Sequence, residues 1–175
     1  MKKSALYPSI RPVFSLLLLL LAGCAGYHIG PVQPTFMAGI KTIAVPTFKN
    51  SSLSPRIEVL VADSVIQQIQ EDGTYKIASS ENADAILEGT ITAVTRSPMR
   101  SLRENVLTTT EFQLTVSLSW KVVRRDTGEV IETRSVQGAT TYYVGNDQNE
   151  GERQAIPLAV QEAAVRLVSQ LSEGW

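Results

Sequence analysis

One stretch constrains the fold more than any other. From Thr110 to Val123, Phe112, Leu114, Val116, Leu118, Trp120 and Val122 alternate with Glu111, Gln113, Thr115, Ser117, Ser119 and Lys121. A side-chain repeat of two belongs to extended backbone and cannot be sustained on a helix. This segment is therefore a strand with one buried and one polar face. It needs strand neighbours and something to cover its apolar side. Asp126-Thr127-Gly128 then makes a tight turn, with glycine free to take positive φ, into a second strand over Val130–Thr140. Upstream, Ala85, Leu87, Gly89, Ile91 and Ala93 alternate with Glu88, Thr90 and Thr92, which predicts a third strand with a small-residue inner face.

The cover comes from two helices. Ser54-Pro55 reads as an N-cap with proline at the first helical position, where its missing N–H is harmless. Ile57, Leu60, Val61, Val65 and Ile69 then follow the spacing of one buried helix face, and Gly73 ends the helix. The second helix is expected from about Gln154 to Leu171, its stripe built by Ile156, Val160, Ala163, Ala164, Leu167, Val168 and Leu171. Pro157 would break an interior position, so this helix should start only a few residues before it. Ile43-Ala44-Val45 and Tyr75–Ala78 are short strands. The order β-α-β-β-β-α predicts an α+β domain of two layers, with both helices on one face of a mixed, mostly antiparallel sheet of four to five strands. Its other face is rich in Thr, Ser and Gln, which suits a surface that another protein covers.

The first residues give an address. Lys2, Lys3 and Arg11 precede Val13–Leu21, a run that is apolar except for Ser15, and Ala22-Gly23 then lead into Cys24, the chain's one cysteine. These are the three parts of a secretory signal. The run is nine residues long. As a helix it would cover about 14 Å, roughly half of a hydrocarbon core. Leu21-Ala22-Gly23-Cys24 resembles the bacterial lipobox, which implies removal of residues 1–23 and lipidation of Cys24. By the same resemblance such an anchor carries three acyl chains, enough for stable membrane attachment, and Ala25 after the cysteine favours the outer membrane. Residues 24–39, with Gly26, Gly30, Pro31, Pro34 and Gly39, read as a tether, and 40–175 as one domain.

Removing 23 of the 175 residues leaves 152 and takes away three of the 16 basic side chains, so 13 bases face 17 acids, a net charge of −4. That balance disfavours nucleic acid as a partner. A lone cysteine allows no intrachain disulfide, and if lipidated it is lost as nucleophile or ligand. His28, the single histidine, falls in the tether, where a spacer role is expected. No phosphate loop, nucleophile elbow, metal-ligand spacing or zinc motif is present. The expectation is a non-enzyme with no cofactor, no catalytic residue and no metal. What remains is basic: Arg96, Arg100 and Arg103 beyond one strand, Arg124 and Arg125 at the end of the next. These are candidate contacts to lipid phosphate or carboxylate groups through charge-assisted hydrogen bonds. If the two strands pair as a hairpin, the sets lie at opposite ends, with Arg96–Arg103 in the connecting loop.

Several stretches together resemble the LPS-assembly lipoprotein family, LptE. They are Cys24–Ile29, Ile40–Asn50, Ala83–Ile91, Glu111–Val130 and Thr141–Gly145, in order along nearly the whole mature chain. The resemblance implies an outer-membrane lipoprotein that partners and partly fills the LptD β-barrel and assists lipopolysaccharide passage. Ile43-Ala44-Val45-Pro46 and Ala83–Gly89 are also similar to segments of LpoB- and CsgG-like periplasmic lipoproteins, which implies an alternative role in regulating peptidoglycan synthesis or in secretion.

Overall fold

A computed structural model describes residues 33–104, 106–143 and 148–174. Its elements are Thr42–Ala44 (β1), Lys49–Asn50 (β2), Ile57–Asp72 (α1), Lys76–Ile77 (β3), Ala85–Glu104 (β4), Val106–Arg124 (β5), Val130–Tyr143 (β6) and Gln148–Ser172 (α2). The sheet order is β3-β1-β4-β5-β6, with β2 on the same edge of β4 as β1. The first three strands run parallel to their neighbours and the last three are antiparallel. The mixed sheet and its two-helix cover match the architecture read from the sequence.

Alternation decides which face the helices take. Leu87, Ile91, Leu114, Val116, Leu118, Trp120, Val122 and Val136 point to one side and are buried, with Trp120 at 1% exposure. Val61, Val65 and Ile69 of α1 and Ala159, Val160, Ala163, Leu167 and Leu171 of α2 complete the same core. Each large apolar side chain removed from water contributes roughly 1.5–3 kcal/mol. Small residues set the distance between layers. A Cβ on Gly138 of β6 would lie 2.1 Å from the Ala159 carbonyl oxygen, so α2 lies directly on the strand here. Gly89 leaves the space that the ring of Phe48 fills.

Four features differ from the sequence expectation. First, β4 and β5 are far longer than two strands joined by a loop: pairing runs from Ala85↔Arg124 to Glu104↔Val106. The alternation hides this because the register breaks three times, leaving Thr92 and Met99 of β4 and Thr110 of β5 unpaired. The first break turns Ala93 away from the core face and brings Val94 and Arg96 onto it. Pro98 is tolerated because the other side of β4 carries no strand there among the described residues. Second, α2 begins at Gln148 and holds Pro157 in its interior. Pro157 and Arg153, whose carbonyl loses its partner, are both exposed, so water can solvate that carbonyl. Gly151 meanwhile lies against Tyr142 and fixes the early turns to the sheet.

Third, Arg56 is the residue before α1, at φ 63° and ψ 12°, so Ser54-Pro55 is a turn and not the cap. Asn50 causes this: its Nδ2 donates to the Ser54 carbonyl at 2.7 Å and to Glu58 at 3.0 Å, while its Oδ1 accepts from Ser52. Fourth, residues 33–39 are not simply extended. Thr35–Met37 form a 3-10 turn with Met37 buried. Phe36 lies under the Arg134 guanidinium at 5.2 Å, and Arg134 also donates to the Gly174 carbonyl at 2.9 Å.

Candidate lipid and protein interface

The outer sheet face is built by the residues between the buried ones. Register places Thr90, Ser119 and Ser135 in one row across β4, β5 and β6, then Ala93, Ser117 and Gln137, then Thr95, Thr115 and Ala139, then Ser97, Gln113 and Thr141. Within β4–β6 charge appears only at the two ends of this array, and Lys49 of β2 stands beside Thr90 at the edge of the first row. At one end Lys121 pairs with Glu88 at 3.0 Å; at the other stands Glu111, opposite Tyr143. Four consecutive rows of hydroxyl, amide and methyl groups are unusual on a free surface, where roughly a quarter to a third of residues are charged.

The five arginines fall into two sets at opposite ends of the β4–β5 hairpin. Arg124 is opposite Ala85 at its base, and Arg103 is opposite Leu107 near its tip. At about 3.3 Å per residue Arg124 is roughly 30 Å from Arg96, which stands mid-hairpin opposite Leu114, and roughly 55 Å from Arg103, too far for one headgroup to bridge. Arg96, Arg100 and Arg103 lie in β4 itself and not in a connecting loop.

Their surroundings separate them further. Arg96 is on the core side of the sheet, where Nη1 donates to Glu152 of α2 at 2.8 Å and the guanidinium sits 5.6 Å from the centre of the Phe112 ring. Phe112 in turn stacks on Tyr142 at 5.9 Å. Hydrogen bonding to Tyr142 and the charge of Glu152 push the Arg96 pKa above its ordinary value. Arg96 is thus a latch between hairpin and helix, still half-exposed. Arg125 is a strut: its backbone N–H donates to the Asp84 carbonyl and its Nε to the Ala83 carbonyl at 2.7 Å. Arg124 accepts from the Gly128 N–H through its carbonyl and closes the turn. Arg100 is level with Tyr143, the last residue of β6, and Arg103 lies beyond it, where β4 and β5 continue as a two-stranded arm among the described residues.

Sequence reasoning missed Asp84 as an organising residue. Its Oδ2 accepts from the N–H groups of Lys41 and Thr42, both at 2.9 Å, and its own N–H donates to Thr42. These hydrogen bonds, the Lys41 amide first, hold its carboxyl below the usual range. The signal was the short segment Ala83-Asp84-Ala85, since a carboxylate just before a buried strand can cap its parallel neighbour. Cys24 and His28 lie outside the described residues. No cluster of potential metal ligands occurs among the described residues, and none of their helices is long and apolar enough to cross a membrane.

The family model described as LptE, lipopolysaccharide-assembly, matches residues 40–171. The chain belongs to the LptE family. That match spans β1 through α2, including the whole hairpin and the charge-free face. No curated protein matches the chain. Among solved structures, a Xanthomonas campestris protein of the DUF330 family is similar with TM-score 0.55 at 15% identity, over 83% of this chain and 90% of its own. A minor lipoprotein from Acinetobacter baumannii has TM-score 0.52 at 14% identity, over 77% and 94%. A hypothetical protein from Chlamydia trachomatis has TM-score 0.54 at 9% identity, over 76% and 96%. At these identities the likeness is one of fold.

Proposed function

We propose that this LptE-family chain is a lipid-anchored outer-membrane lipoprotein that docks through its outer sheet face into a β-barrel partner of the LptD type. There it assists the passage of lipopolysaccharide. The observation that carries this reading is the charge-free array from Thr90 to Thr141. Short hydroxyl side chains lose little entropy on contact, and they match the polar interior of a barrel lumen without stranding buried charge. The lipobox at Leu21–Cys24 supplies the anchor, with residues 1–23 removed and 24–39 leading into the domain. Its role is one of assembly and not catalysis.

Lipopolysaccharide carries phosphate and carboxylate groups, for which arginine is a fitting donor. Arg100 and Arg103, toward the tip of the β4–β5 hairpin, remain the candidates for such contacts. Arg96 can join them only by giving up Glu152, and Arg125 is committed to a carbonyl. Arg124 is roughly 40–55 Å from Arg100 and Arg103 along the hairpin.

Co-purification from outer membranes under mild detergent tests the reading. A β-barrel protein should be recovered with the chain. Recovery of a peptidoglycan synthase without a barrel would instead favour the regulatory alternative. Charge reversal at Arg100 and Arg103 should weaken lipopolysaccharide binding more than reversal at Arg124 and Arg125; equal effects would remove the arm from the account.

A further inference from the structure

Between β1 and β2 the chain arches off the edge of β4. Ala44 is opposite Ile86 and Lys49 is opposite Thr90, so four residues, 45–48, stand against three, 87–89. On the core side of this arch the Phe48 ring turns onto Gly89. On the outer side the arch walls a cleft of about 420 Å³. Glu88 and Thr90 of β4 and Ser119 and Lys121 of β5 form its floor, and Thr47 and Lys49 stand at its wall.

Charge in the cleft does not balance. Lys121 Nζ lies 3.0 Å from Glu88 Oε2. Lys49 is exposed and has no acidic partner among the described residues. Were Glu88 shared by both lysines, two cations would still face one carboxylate. In water this surplus costs little, because an exposed ammonium is hydrated. Once the face is covered it matters, since an ion taken out of water without a counter-ion is strongly destabilising. A partner that seats here must bring the missing negative charge.

The margins of the cleft indicate what kind of molecule brings it. One row nearer the base, Ile86 and Val123 are half-buried on the outer face, and Val130, opposite Val123, is 50% exposed. On the other side the charge-free rows begin. A sugar or a free phosphate gains nothing from the apolar margin. A protein surface uses all three parts: apolar contact, hydroxyl groups and a paired charge.

We propose that this cleft is the socket for a carboxylate side chain of the barrel partner, an aspartate or glutamate that meets Lys49 in a charge-assisted hydrogen bond. The proposal rests on the docking of the outer sheet face and adds a position and a charge to it. Lys49 and Lys121 are the cations at this end of the charge-free rows, so an acid seated between them also fixes which way round the face docks.

Carbodiimide coupling of the full-length chain in native outer membranes tests this, because the reagent joins an amine to a carboxylate only where the two touch. Mass spectrometry should recover Lys49 in an amide with an aspartate or glutamate of the co-purified barrel. Lys49→Arg should keep the barrel and lose that amide, since a guanidinium does not couple. Lys49→Glu should lower barrel recovery about tenfold by setting like charges together. Arg153→Glu, the same change of charge at an exposed position of α2, should leave recovery unchanged. Circular dichroism confirms that each variant is folded. A parent chain that brings down a barrel, yet couples Lys49 only to its own Glu88 or to nothing, overturns the proposal and leaves the docking intact. So does a folded Lys49→Glu chain that keeps the barrel; if it loses lipopolysaccharide instead, the cleft belongs to a lipid phosphate. A parent chain that recovers no barrel refutes the docking itself.

Discussion

Replacing Gly138 by alanine should cost this protein much of its stability, although only one methyl group is added. The new Cβ would lie 2.1 Å from the Ala159 carbonyl oxygen and 2.3 Å from the Ala163 amide nitrogen, whereas ordinary contacts begin near 3.4 Å. Both obstacles are backbone, so no side-chain rotation relieves them. The helix must lift by roughly 1 Å, and it packs here through Ala155, Ala159 and Ala163, whose short side chains cannot span a wider gap. Overpacking of this kind costs about 1–3 kcal/mol, with the upper end expected where the obstacle is rigid. The lower unfolded-state entropy of alanine returns at most about 1 kcal/mol. A net loss of about 2 kcal/mol should lower Tm by roughly 4–8 °C for a domain of this size. Urea unfolding with an unchanged m-value is the appropriate assay. A change below about 0.5 kcal/mol would refute the close approach of α2 to β6.

Three further outcomes are expected. Tyr75→Phe should destabilise by about 1–2 kcal/mol, because the buried Leu171 carbonyl loses the hydroxyl that donates to it at 2.7 Å; a neutral effect in urea would argue against this bond. Burial, and then Asp72, raises the Tyr75 pKa to about 12. Its stabilisation should therefore be full below pH about 10 and disappear by about 12, and Tyr75→Phe should flatten the alkaline arm of the stability profile. Asp84 has a lowered pKa, so its contribution is present above the unfolded value and lost as pH falls through the folded one. Asp84→Asn should reduce stability at neutral pH and weaken its dependence on pH below about 4; an unchanged acid profile would show that the Lys41 and Thr42 amides do not depend on the charge. Arg56→Gly should stabilise by about 0.5–1 kcal/mol, the left-handed strain outweighing the flexibility that glycine adds; a loss in thermal unfolding would mean that the Arg56 side chain matters more than its backbone.

The parts of the fold that were legible share one property: their signal is local and periodic. Alternation from Phe112 to Val122 and the stripe from Ile57 to Ile69 each record which side faces the core. The distal hairpin was not legible because its three register breaks shift the phase, and because Pro98 looks like a stop unless the strand is known to have a free edge. Pro157 misled for a related reason: its cost depends on whether water reaches the carbonyl it strands. Of the candidate site, the hydroxyl-rich face could be read directly from the alternation. The divergence of the five arginines could not, since the ties of Arg96 to Glu152 and of Arg125 to Ala83 join residues far apart in the chain.

The central claim is that the outer sheet face meets a barrel. A photo-crosslinking amino acid at Thr115, in the middle of that face, tests this in native outer membranes, with Asp63 on the exposed side of α1 as reference. The account predicts a strong adduct between position 115 and a β-barrel protein, and a weaker one from position 63. No barrel adduct at 115, or a stronger one at 63, would contradict it.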